Sequence, residues 1–148
     1  MNCPENPPSL EEWQARFRWF NQEMDRSMEP GGYIVSEQAC ALSVELERLY
    51  CTGAWVAVVI VAIAVVDAQL REAELADFRG NTKDLIDAVN ANPALHRLRK
   101  LRNTYVHVNP DQPAITVDQI LADDVRLRHD AESAIKLVFE AFFMNPMV

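Results

Sequence analysis

From Leu49 to Val66 the chain carries no charged side chain, and the part from Ala54 to Val66 is Ala, Val and Ile apart from Trp55. A helix that apolar on every side belongs either in the middle of a protein core or in a membrane. Glu45 and Glu47 precede the run and Asp67 ends it, without the Lys/Arg-rich flank that anchors a spanning helix. It is also short for a span and rich in alanine. The run is therefore read as a central helix enclosed by its neighbours, with no membrane partner. A carboxylate placed at Val61, in its middle, is expected to leave the protein unfolded or insoluble.

The remaining segments read as helices that cover this one. Only four glycines occur among 148 residues, two of them the adjacent pair Gly31 and Gly32, so the many tight turns of a sandwich or barrel have little to be made from. Pro4, Pro7 and Pro8 make an extended lead-in, after which Ser9 and Glu12 form a capping box for a helix to about Met28. Trp13, Phe17 and Phe20, with Ala15 and Trp19, give that helix an aromatic stripe to bury. Pro30, Gly31 and Gly32 break the chain. Ser36 caps a second helix through Tyr50, carrying Ala39, Leu42, Leu46 and Leu49 at helical spacing. Gly53 marks a kink or boundary before the apolar helix, which is expected to run on through Asp67 to Leu75 and stop at Gly80 and Asn81.

A short helix from about Thr82 to Asn90 follows. Pro93 suits the first turn of a helix through Leu95, Leu98, Leu101 and Tyr105. Residues 107–113, with Pro110 and Pro113, read as a loop. Asp118 or Asp123 caps a last helix in which Ala131, Ile135, Val138 and Phe142 recur at steps of four, three and four. The expected class is all-α: residues 1–34 as an N-terminal extension with one amphipathic aromatic helix, and residues 35–148 as a four-to-five-helix bundle.

The formal net charge is −8, which argues against a general nucleic-acid coat, because neutralising phosphates needs a basic surface. Cys3, Cys40 and Cys51 include no CxxC pair. Their odd number, and a start (Met1-Asn2-Cys3-Pro4-Glu5) without the basic and apolar regions of a signal peptide, point to reduced thiols in a cytoplasm.

One helix departs from the acidic average. Counted at about 100° per residue, Leu95, Leu98, Leu101, Tyr105 and Val106 form an apolar stripe, and Arg102 falls inside it. The opposite flank collects His96, Arg99, Lys100, Asn103 and His107, a basic landing place for phosphate. Asn103 and His107 are four apart and face the same side, whereas Arg102 and His107 diverge on a straight helix. Val108-Asn109-Pro110 then places His107 at the helix end. A guanidinium on an apolar face needs a partner or a reason. Asp67 and Glu45 are the carboxylates that would make Arg102 an ordinary core ion pair, with His107 simply ending a helix.

The stretch Leu98-Arg99-Lys100-Leu101-Arg102-Asn103-Thr104-Tyr105-Val106-His107 resembles the signature of the HEPN superfamily: an Arg, commonly followed by a polar residue such as Asn, and a His four to six positions on. Arg102, Asn103 and His107 match it with four intervening residues. The surroundings are similar too, with a long apolar helix ending in Asp67-Ala68-Gln69-Leu70-Arg71 and a closing helix of the Asp130 to Lys136 type. The resemblance covers residues 35 to 145 and leaves the first helix as an addition. It implies a HEPN-like bundle and a metal-independent ribonuclease of a toxin or phage-defence kind, working as a homodimer with two motifs facing across a two-fold cleft.

In that reading His107 moves a proton of the RNA 2′-hydroxyl or of the leaving oxygen, Arg102 holds the phosphate, and Asn103 orients the His or contacts the phosphate. Arg99, Lys100 and His96 would bind RNA, and an antitoxin or sensor protein would be a further partner. No cofactor is implied. A metal is not suggested either, since His96, His107 and His129 are scattered with no thiol or carboxylate at ligand spacing. The alternative is a non-catalytic HEPN-like binding or dimerisation module in a toxin-antitoxin or defence system. One departure matters: the subfamily paired with nucleotidyltransferase antitoxins carries a Tyr two residues after the His, where this chain has Asn109, so regulation through such a tyrosine is not expected.

Overall fold

The computed structural model describes residues 7–113 and 115–147. Cys3 and Pro4 lie outside the described residues. The chain is all-α: α1 (Leu10–Met28), α2 (Glu37–Thr52), α3 (Trp55–Gln69), α4 (Thr82–Ala88), α5 (Ala94–Val106), α6 (Val117–Ala122) and α7 (Asp124–Phe142), with no strand beyond one isolated bridge between Gly32 and Met147 among the described residues. None of these helices is long and apolar enough to cross a membrane.

α3 is the axis of the bundle. Val58, Val59, Ala62, Ile63, Val65 and Val66 are buried, and α2, α7 and α5 pack around them. Val61 is only half-buried, so the middle of the run has one less protected side. A helix enclosed on most of its circumference can be uniformly apolar, since it has no solvent face to furnish. The entrance to α3 is set by Gly53, whose φ of 83° is left-handed; its N–H reaches Leu49 O and Tyr50 O and closes the end of α2. A Cβ there would meet the tip of the Arg16 side chain at 3.0 Å, which would have to give way, so it is the left-handed backbone that calls for glycine.

At the far end of α3 the helical run reaches Leu75 as expected, but the stop is there and not at Gly80 and Asn81. The helix leaves the α pattern at Leu70, continues as one π-helical turn (Leu70–Glu74), and is over at Leu75, whose N–H bonds Leu70 O at 3.0 Å. Arg71 ties the segment beyond this end back to α3: its guanidinium grips Asp67 through Nε (2.8 Å) and Nη2 (3.1 Å), and donates to Gly80 O at 2.9 Å. Asn81 then starts α4 rather than ending α3, its side-chain oxygen accepting from the Asp84 N–H.

Ser9 and Glu12 form the reciprocal capping box of α1. Its aromatic stripe divides. Phe20 enters the core in edge contact with Phe139, and Trp19 packs on Tyr50, whereas Trp13 (36% exposed) and Phe17 (39%) stack on each other facing outward. The last connection also differs from expectation. Thr116 with Gln119 caps the short α6, and Asp123, at the start of α7, bonds Arg126 instead of capping with its side chain.

The Gln69 side chain is fully enclosed. Gln69, at the end of α3, accepts from the Ser36 N–H at 2.9 Å and donates to Ile34 O at 3.0 Å. It thereby pins the segment that leads into α2.

Candidate functional site

α5 owes its placement to Leu95 and Leu98, which are buried against α3, with Leu101 and Tyr105 packed on the same core. Four apolar anchors on one side leave the rest of the helix to polar groups. The entrance is fixed by Asn92, whose side chain accepts from the Ala94 N–H and donates to the Glu140 carboxylate of α7. At the other end the His107 N–H bonds Asn103 O at 3.0 Å while His107 itself is already extended (φ −117°, ψ 122°). Its imidazole is exposed and makes no hydrogen bond among the described residues.

Arg102 is half-buried on the flank of α5 that faces α3. Its side chain borders an open groove of about 450 Å³, with Val106 from the same helix, Ile60, Ile63 and Asp67 from α3, and Thr82 from α4. The groove brings Arg102 near the carboxylate that would neutralise it in a plain structural reading, yet no such pair forms. Asp67 is held instead by both nitrogens of Arg71 and by the Thr82 hydroxyl at 2.8 Å. Glu45 pairs with Arg48. Among the described residues Arg102 makes no hydrogen bond and no ion pair, and its Nε is buried without a partner. A bidentate Arg–carboxylate pair offsets most of the charge of Asp67, so the uncompensated charge beside the groove is the Arg102 cation.

The other basic residues of α5 are placed as follows. His96 Nε2 lies 2.7 Å from the Asp87 carboxylate, joining α5 to α4. Arg99 is half-buried and its Nε also lacks a partner, while Lys100 projects into solvent. Asn103 is half-buried, with its side chain unbonded among the described residues. Within one chain, then, Arg102 and Val106 reach the groove, and Asn103 and His107 are not part of its lining. Sequence reasoning did not anticipate Thr82 as a groove residue. Nothing in its surroundings marked it, because its role depends on the fold-back imposed by Arg71. No cluster of three or more His, Cys, Asp or Glu side chains among the described residues is arranged to hold a metal ion.

No family model, no curated protein and no solved structure matches the chain.

Proposed function

We propose that this chain is a metal-independent endoribonuclease of the HEPN kind, acting as a homodimer with Arg102 and His107 in the dimer cleft, as the likeness of its Arg102-Asn103-Thr104-Tyr105-Val106-His107 stretch to that superfamily implies. The observation that carries the reading is the unpaired Arg102. A guanidinium half-buried beside a neutralised carboxylate, with an open groove next to it, is suited to an oxyanion from outside the chain.

The chemistry follows from the two groups. The RNA 2′-oxygen attacks the adjacent phosphorus and loses its proton to a neutral imidazole, while a second, protonated imidazole gives a proton to the departing 5′-oxygen. The P–O5′ bond breaks, leaving a 2′,3′-cyclic phosphate and a 5′-hydroxyl. One chain supplies one His107, so a two-fold pair of chains supplies both roles. Arg102 stabilises the charge growing on the phosphate oxygens. Arg99 and Lys100 contribute attraction for the RNA backbone, which overall acidity makes local and sensitive to salt.

The test is cleavage of total RNA in the presence of a chelator, with end-group analysis and sedimentation on the same preparations. The parent is expected to give cyclic-phosphate ends as a dimer. Substitution His107→Ala should lower the rate by about 10² to 10⁴ without dissolving the dimer. Equal cleavage by the parent and by the Arg102→Ala and His107→Ala variants would remove the catalytic assignment. RNA bound in a salt-dependent way and left intact by the parent would replace it with the non-catalytic binding module.

A further inference from the structure

A second groove shares no lining residue with the one beside Arg102. It lies between α1, α2 and α7, has a volume of about 320 Å³, and is walled by Phe20, Met24, Val44, Phe139, Phe142 and Phe143. Phe20 and Phe139 meet edge to face at 5.1 Å and form part of its wall, and Val44 remains 50% exposed at its edge. Apolar surface of this extent, rich in phenyl rings and thioethers that adapt their shape, is characteristic of a ligand site.

Its few polar groups decide what kind of ligand fits. The Ser43 hydroxyl is occupied by Ala39 O at 2.8 Å. The Cys40 thiol is exposed at the border. Glu47 is the one charged residue of the lining; its carboxylate accepts from Asn21 Nδ2 at 3.2 Å and has no cationic partner among the described residues. The protein as a whole carries a formal charge of −8, which repels anionic amphiphiles and attracts cationic ones.

We infer that this groove binds a linear aliphatic amine, with the hydrocarbon chain between the phenyl rings and the ammonium group against Glu47. The assignment is independent of the ribonuclease reading.

Octylamine, octanoate and 1-octanol, each below its aggregation threshold, serve as probes, followed by the methyl resonances of Met24 and of Met28, which also borders the groove, and by the alkylation rate of Cys40. Octylamine is expected to shift both methyl signals and protect Cys40. Octanoate should bind roughly fivefold more weakly or worse, the upper end for a partly exposed ion pair. Substitution Glu47→Gln should erase the preference of amine over alcohol while keeping the fold, and Val44→Trp, which fills the groove from its open edge, should abolish binding of all three. Three results would overturn the inference: octanoate binding as tightly as octylamine, methyl signals unmoved by any probe, or a dimer in the parent that Val44→Trp dissociates, which would assign the groove to a second copy of the chain.

Discussion

α3 and α5 are of similar length and pack against each other, yet they use their residues in opposite ways. α3 is buried around most of its surface, and its side-chain polar contacts sit at its two ends, Trp55 on Asp124 at one, Asp67 and Gln69 at the other. α5 buries only Leu95 and Leu98 completely and carries Arg97, Arg99, Lys100 and Arg102 within the same two turns. The contrast separates two tasks. A residue whose removal opens the core contributes stability and is unfree to do anything else. A cation left without a carboxylate contributes little to folding and is free to meet a ligand.

The difference can be attacked from the α3 side first. Replacing Val58 by Asp puts an unpaired carboxylate at a fully buried position, at a cost of several kcal/mol, comparable to the whole margin of a domain. The variant should be unfolded by circular dichroism. Val61→Asp, at a half-buried position, should lose less, and equal damage at both positions would show that α3 is enclosed more evenly than its packing indicates.

Gln69→Ala comes next. It strands the Ser36 N–H and the Ile34 carbonyl, and denaturant unfolding should read a loss of about 2 to 3 kcal/mol. A change near zero would mean that water replaces both bonds.

On α5 the expected effects shrink. Arg102→Ala should alter stability by less than about 1 kcal/mol, because no ion pair is broken and a buried, unpartnered Nε is removed. A loss of about 3 kcal/mol would instead reveal a core ion pair and merge the two helices into one category. His107→Ala should fall within about 0.5 kcal/mol of the parent in the same measurement. A larger shift would tie the imidazole to the fold.

Much of the architecture could be read from particular residues. The charge-free run had one comfortable location, and Ser9 with Glu12, Ser36 and Gly53 marked helix ends by local hydrogen bonding that needs no tertiary knowledge. The end of α3 was less legible. Gly80 and Asn81 have the composition of a stop, but the helix is over at Leu75 after a π-helical turn, and Arg71 holds the segment up to Gly80 against Asp67, a long-range tie that composition does not express. The stripe of α1 misled for a related reason: periodicity says that Trp13, Phe17 and Phe20 share a side, and only packing decides how far along the helix a neighbour extends. At the candidate site the position of Arg102 on the inner flank of α5 was foreseeable from helix geometry. Its lack of a partner was not, since that depends on Asp67 being engaged by Arg71 and Thr82.

The π-helical turn from Leu70 to Glu74 makes this part of the molecule sensitive to residue number as much as to residue identity. Each helical residue advances the chain by about 100°, so deleting Ala73 and letting an ordinary α-turn form would rotate everything beyond it. The retained Arg71 would still reach Asp67 one turn back, but the carbonyl of Gly80 and the hydroxyl of Thr82 would arrive from another direction. Asp67 would lose one of its two neighbours, and the acceptor released would lie in the groove that Arg102 borders. A length change of a single residue, outside the motif and conservative in chemistry, would thus act as a switch on the charge of the site.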